Sequence, residues 1–395
     1  MKILLTSAPL HGHVLQLVPF SWALRAAGHE VLAAVPEEFA PVVREAGLPA
    51  VGTVADVTMR QMIGFERDGT PVPWSADPDR RIRRSGRGFG RLAARTLDRT
   101  LSIAERWRPD LVVSEPTEYA GRMVAARTGV PWVEHGWGLA ISPLYHEAAQ
   151  EELAPELAAW GLRHLPGPRL VIDVRPPGVP GGRASGPPRR VLPMRYVPYN
   201  GSAAVPEWTR GPRDRPRVCV TLGSLPQDRS GPLPDAVVRG AARAGAEVVL
   251  AMGDAAVAPG PAGLAGPVRA AGWLPLDQIL PACDLVVHHG GPGTTMTSFV
   301  HAVPQLVLPS PYSDTVAYAQ AVVDVGAGHR LDPAEASPDS VEAACRALLG
   351  DPRHREAARA VADGIGRLPS PADVAAEVVT AVEHPLVARE PACAG

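Results

Sequence analysis

Apolar residues recur along this chain in two alternating rhythms. Short runs at residues 2–8 and 30–35 read as strands buried on both faces. Between them, residues 14–27 carry Leu, Val and Phe at helical spacing until Gly28 stops the pattern. The alternation falters over residues 56–99, where periodicity fades into Arg, Pro and Gly interspersed with Met59, Met62, Phe65, Trp74 and Phe89, and a variable excursion is expected. It returns as a strand running into a helix at 109–121 and another strand end at 131–138. Residues 176–190, dense in Pro and Gly, predict a surface loop. The rhythm then restarts, with strands at 216–222, 247–252, 285–287 and 305–308, a helix at 294–302 and another entered over 309–318. Two helices follow over 335–366 and an apolar-striped one over 371–387. Strands alternating with helices predict an α/β fold of two doubly wound parallel sheets, the second beginning after residues 200–214.

Chemistry-bearing residues gather in the turns at the strand ends, where open α/β sheets bind ligands. After the strand at 285–287 comes His288-His289-Gly290-Gly291-Pro292-Gly293-Thr294-Thr295. Its glycines admit a ligand close to the backbone, Thr294 and Thr295 are candidate caps, and the free N–H groups of the helix start make a phosphate cradle. Gly223-Ser224, ending the strand at 216–222, is a second turn able to aim N–H groups and a hydroxyl at phosphate. In the first half, His11-Gly12-His13 follows the first strand, and Glu115 and Glu118 follow the strand near 111–114. Histidine titrates near neutrality, which suits proton abstraction. His13 is the candidate base, His11 is expected to face solvent, and the two glutamates compete as its partner. Asp77-Pro-Asp79 lies in a polar stretch without a preceding apolar strand, so no metal is assigned to it.

Three spaced elements in the second half are similar to one known signature: Gly272-Trp273-Leu274-Pro275, His289 to Thr294, and Pro309 with Asp314. They resemble the donor-binding motif of family-1 glycosyltransferases of the GT-B fold, above all bacterial enzymes acting on natural products. Gly12-His13, Val18-Pro19 and Trp22 to Val31 resemble the first motif of the same enzymes, and Met194 to Gly201 resembles the linker of those that glycosylate aromatic polyketides. The resemblance implies two facing Rossmann-like domains. Residues 1–205 would bind the acceptor, 206–370 would bind the nucleotide-sugar, and 371–395 would form a helix returning to the first domain and a tail. It further implies His13 as catalytic base, with Glu115 favoured over Glu118 as the acid supporting it. Trp273 would stack on the nucleotide base. Gly223, Ser224, His289, Gly291, Gly293, Thr294 and Thr295 would surround the diphosphate, and Asp314 and Thr315 would meet the sugar. His135 and Trp137 match positions around the acceptor cleft.

This chain departs from that pattern at three places: Gln16 where the family usually has proline, His301 where it has glycine, and Thr315 where it has glutamine. The shorter Thr315 points to a deoxygenated or aminated sugar, expected as a thymidine diphosphate donor. The implied activity is inverting transfer without metal or other cofactor, to an apolar aromatic acceptor. Two alternatives stay open: a helper protein that retains the fold without catalysis, and an enzyme using uridine diphosphate glucose. A nicotinamide oxidoreductase is disfavoured, because neither first turn carries Gly-x-Gly-x-x-Gly.

Composition narrows the picture further. With 395 residues, 46% of them apolar, there is material for two cores, and a net charge of −2 argues against nucleic acid as a partner. The first apolar run is too short for a signal peptide and no run approaches a membrane span, so a cytosolic protein is expected, with a homodimer left open. Cys219, Cys283, Cys345 and Cys393 are scattered without ligand-like spacing, which implies reduced thiols.

Overall fold

The computed structural model describes residues 1–180, 190–222, 233–251, 268–309 and 315–383. The apolar runs pair into two wholly parallel sheets. The first contains β1 (Lys2–Thr6), β2 (Glu30–Val35), β3 (Ala50–Gly52), β4 (Leu111–Ser114), β5 (Trp132–His135), β6 (Leu170–Asp173) and β7 (Arg190–Pro193), in the order β3-β2-β1-β4-β5-β6-β7. The second contains β8 (Arg217–Thr221), β9 (Glu247–Ala251), β10 (Val268–Ala271), β11 (Leu285–His288), β12 (Gln305–Val307) and β13 (Gly328–Arg330), in the order β10-β9-β8-β11-β12-β13. Strand order reverses between β1 and β4 in one sheet and between β8 and β11 in the other. Thr6 pairs with Ser114 and Thr221 with His288, so each reversal opens a crevice at matched carboxyl ends.

The intervening helices are α1 (His11–Ala26), α2 (Ala40–Glu45), α3 (Met59–Gly64), α4 (Pro78–Trp107), α5 (Tyr119–Thr128), α6 (Pro143–Glu152) and α7 (Ala154–Ala159) around the first sheet. Around the second are α8 (Leu233–Arg243), α9 (Leu276–Ile279), α10 (Pro292–Val300), α11 (Thr315–Asp324), α12 (Pro338–Gly350) and α13 (Pro352–Gly366), followed by α14 (Pro371–Glu383). The last helix packs against α1. Val374, Ala375 and Val378 share one buried cluster with Ile3, Leu5 and Leu24 of the first half and with Met296, Phe299 and Tyr318 of the second. Arg190 pairs with Glu377, and Arg169 Nη2 donates to the Ala381 carbonyl at 3.1 Å. The apolar interior is thus continuous from one sheet to the other.

The excursion expected over 56–99 is instead α3 and most of the 30-residue α4. Asp77 caps α4, accepting from the Asp79 N–H at 2.9 Å, and Pro78 takes the first helical position, where no N–H is needed. Its glycines look helix-breaking, yet they permit close packing: a Cβ on Gly86 would lie 2.5 Å from the Tyr145 carbonyl oxygen, and one on Gly88 2.5 Å from Ile63. Three of its arginines are neutralised across space, Arg83 by Glu147 and Glu151, Arg87 by Glu151 and Arg91 by Glu152. Among the described residues no helix is long and apolar enough to cross a membrane. Cys219, Cys283 and Cys345 are buried free thiols, and Cys393 lies outside the described residues.

Candidate active site

The turn after β1 begins α1, which carries His13 over the end of β4. His13 Nδ1 lies 3.0 Å from Glu115 Oε1, the first residue beyond that strand, and their side chains are 13% and 1% exposed. The carboxylate is held from behind: Oε1 accepts from the Ala8 N–H at 3.2 Å, and Oε2 from the Thr117 N–H at 2.6 Å and the Thr117 hydroxyl at 3.0 Å. Burial pushes the Glu115 carboxyl up, but His13 and these donors outweigh it, and its pKa falls below the ordinary carboxylate value. An ionised carboxylate at Nδ1 fixes the proton there and leaves Nε2 as the free lone pair. Trp137 and Phe89 flank the imidazole, with ring centroids 4.2 and 5.5 Å away. Of the other excursion residues, Met59 is core, whereas Phe65 and Trp74 face outward.

Glu118 plays a different part. It caps α5, accepting from the N–H groups of Ala120 and Gly121 at 3.0 and 2.8 Å, and it also accepts from the Thr6 hydroxyl. Burial raises its pKa, and these hydrogen bonds only partly offset the rise. His135 is buried in the first half, with Nδ1 2.7 Å from the Gly136 carbonyl and Nε2 making no hydrogen bond among the described residues.

In the second sheet the two adjacent histidines divide their work. His288 Nε2–H donates to Gln305 Oε1 at 2.9 Å while its Nδ1 accepts the Gly290 N–H at 3.1 Å, so this ring braces the loop from beneath. His289 lies over the start of α10, where a Cβ on Gly291 would be 2.6 Å from its Nε2. Burial pushes the His289 imidazole down to about 4, only partly opposed by the Thr221 carbonyl, so the ring is neutral at physiological pH. Gly290 has φ +85°, and a side chain there would meet Thr315, the first residue of α11, at 2.9 Å. The loop and the buried Thr315 are therefore packed together.

Helix α10 starts earlier than its pattern suggested, and neither threonine caps it. Gly291 is the N-cap and Pro292 the first helical residue; Thr295 Oγ1 donates back to the Gly291 carbonyl at 3.0 Å, and Thr294 stays half-buried. Proline lacks an N–H, so Gly293 and Thr294 supply the first-turn donors that have no carbonyl to meet within the helix. Gly223, Ser224 and Asp314 lie outside the described residues.

Several side chains join the two crevices. Gln16, one turn beyond His13 on α1 and 8% exposed, accepts from Tyr196 OH at 2.5 Å. Its Nε2 comes 2.9 Å from the position of a Cβ on Gly293. Asn200 Nδ2 donates to Thr297 Oγ1 of α10 at 3.3 Å, its Oδ1 accepts from the Asp277 N–H at 3.0 Å, and its carbonyl accepts from Trp273 Nε1 at 2.8 Å. Trp273 is 36% exposed and its ring meets His11 at a centroid distance of 4.8 Å. His11 therefore does not stand free in solvent but is half-buried: it begins α1, lies between Trp273 and Phe39, and burial lowers its pKa. Tyr318 OH of α11 accepts from the Leu139 N–H at 3.0 Å, pinning the loop that holds Trp137.

Comparison with known proteins identifies the family. Residues 22–223 match the erythromycin biosynthesis protein CIII-like N-terminal domain, and residues 235–381 match the C-terminal domain of the same description. The chain is 41% identical to the L-demethylnoviosyl transferase of Streptomyces niveus over 95% of its own length and 97% of that protein's. It is 37% identical to the elloramycin glycosyltransferase ElmGT of Streptomyces olivaceus over 98% of both. Its structure is similar to that of the glycosyltransferase SsfS6 of Streptomyces sp. SF2575 complexed with thymidine diphosphate, with a TM-score of 0.85, 39% identity, and coverage of 96% of this chain and 99% of that one. From crevices, cradle and relatives together, the chain belongs to the erythromycin biosynthesis protein CIII-like family and is a GT-B glycosyltransferase of antibiotic biosynthesis.

Proposed function

We propose that this enzyme moves a deoxysugar from thymidine diphosphate to a hydroxyl of an aromatic or polyketide-type acceptor, in one displacement that inverts the anomeric carbon and needs no metal. The observation that carries this reading is the span of α1, which brings His13 to Glu115 at one crevice and Gln16 to the start of α10 at the other. His13 Nε2 takes the acceptor's proton. The acceptor oxygen bonds to the anomeric carbon as the bond to the diphosphate breaks, and the nucleoside diphosphate leaves with that electron pair. Glu115 holds the imidazolium formed. Neutral His289 and the N–H groups of Gly293 and Thr294 meet the charge that grows on the leaving oxygens, a role in which one preorganised donor is worth about 3–4 kcal/mol. Trp273 would bind the base, with Gly223, Ser224, Asp314 and Thr315 completing the donor site. Phe89 and Trp137, beside the base, offer flat apolar surface to the acceptor.

Neutralisation by helix N–H groups in place of a cation sets one expectation: excess chelator leaves the initial rate unchanged. Activity lost with chelator and restored by Mg²⁺ or Mn²⁺ would show that the cradle is not sufficient. A helper protein without catalysis would need no base, and the paired His13 and Glu115 speak against that role.

Donor choice gives the direct test. Where a glutamine amide would offer both a donor and an acceptor to sugar hydroxyls, Thr315 is shorter and buried. A fully hydroxylated sugar would leave one hydroxyl unpaired there, at about 1–3 kcal/mol, roughly five- to over a hundredfold in preference. A thymidine diphosphate deoxysugar should therefore be used ahead of uridine diphosphate glucose, with Thr315→Gln narrowing the gap, and proton couplings in the product should show inverted configuration. Equal use of both donors by the unmodified enzyme, or retention of configuration, would refute the reading.

A further inference from the structure

We infer that Gln16 is a diphosphate-binding residue supplied across the cleft by the first half of the chain, its amide N–H joining the helix donors of α10 on the leaving group. The inference rests on the reading of the α10 cradle given above and adds to it a contact that the glycine-rich motif does not contain. Two observations converge on it. First, the amide's orientation is set: Tyr196 OH donates to Oε1 at 2.5 Å, which leaves Nε2 as the outward end. Second, that end meets no acceptor among the described residues and lies at the first turn of α10, 2.9 Å from where a Gly293 Cβ would stand. The amide nitrogen of a side chain only 8% exposed, aimed at a helix start that itself offers donors, has no acceptor among the described residues. An anion is the chemistry that would satisfy all of these N–H groups at once.

The position also has a geometric consequence. His13 and Gln16 are three residues apart on α1 and so lie on one helical face. One rigid turn would then hold the nucleophile's base at one end and the leaving diphosphate at the other, fixing the line along which displacement occurs. Glycine at position 293 is part of the arrangement, since any side chain there would occupy the place of the amide.

The test measures thymidine 5′-diphosphate and thymidine binding by calorimetry, with melting temperature alongside. Gln16→Glu keeps the shape and the acceptor for Tyr196 but replaces the N–H donor by a carboxylate, which the α10 start would itself favour. It should weaken thymidine diphosphate roughly ten- to a hundredfold, leave thymidine within about twofold, and not lower the melting temperature. Tyr196→Phe, which leaves the amide in place but unanchored, should weaken the diphosphate several-fold and thymidine not at all. It is the second route should the first variant fail to fold. Unchanged diphosphate affinity in both variants, or equal loss of thymidine and thymidine diphosphate, would overturn the assignment. His289→Ala separates this from failure of the cradle reading. If that variant binds thymidine diphosphate normally, the cradle itself is misplaced; if it binds weakly while Gln16→Glu binds normally, only Gln16 is excluded.

Discussion

Replacing His13 by alanine will lower turnover by roughly 10²–10⁴ while thymidine diphosphate still binds, the loss expected when a general base is removed. The imidazole has no other function in view: its Nδ1 is committed to Glu115 at 3.0 Å, its faces to Trp137 and Phe89, and only Nε2 is left for the acceptor. Initial rates should be taken well below the acceptor's own pKa, because a phenolate already formed needs no base. Near-normal turnover under those conditions would remove His13 from the mechanism.

Glu115→Gln should fall by a similar roughly 10²–10⁴ in kcat, with the donor KM little changed. The reason is the tautomer. A glutamine facing Nδ1 with its NH₂ group makes that nitrogen an acceptor and moves the ring proton to Nε2, where the base must have a lone pair. Both carboxylate oxygens also accept backbone N–H groups, from Ala8 and from Thr117, so the amide inevitably turns a donor toward a donor at one of them. That conflict costs about 1–3 kcal/mol of stability. Because the native Glu115 pKa is depressed, its contribution to folding is complete above the ordinary carboxylate value and is lost as pH falls through the lower native one. Urea titrations should therefore show a stability gap between the two proteins at neutral pH that closes in acid. A kcat within a few-fold of the unmodified enzyme would separate Glu115 from the chemistry.

The strands and the turns between them were legible because buried parallel strands leave continuous apolar runs and cradles need glycine. Local pattern could not choose between Glu115 and Glu118, since both follow β4; what separates them is that Glu118 turns back to cap α5. The long α4 was missed although Phe89, Leu92, Ala93, Thr96, Leu97, Thr100, Ile103 and Ala104 do recur with helical spacing and are buried. Its glycines and arginines hid the signal. Their reasons lie in α3 and α6, in the Ile63 and Tyr145 contacts and the glutamates of 147–152, which no window of sequence around α4 contains. Gln16 was visible only as a departure from a motif, because its meaning depends on Tyr196 and on a helix almost three hundred residues later. The bonds of Asn200 and Tyr318 are of the same kind: they join distant segments, and a residue's neighbours in the chain say nothing of them.

The packing of α14 bears on how the molecule comes to be folded at all. The apolar interior of the first half, including Ile3 and Leu5 of β1 and Leu24 of α1, is shared with Val374, Ala375 and Val378, which the ribosome delivers only after the second sheet has been made. Domains commonly fold in order of synthesis. Here the earlier half cannot close that part of its interior until α14 has been made. A chain stalled before residue 371 would leave that shared interior uncovered, the kind of species that chaperones hold and proteases remove.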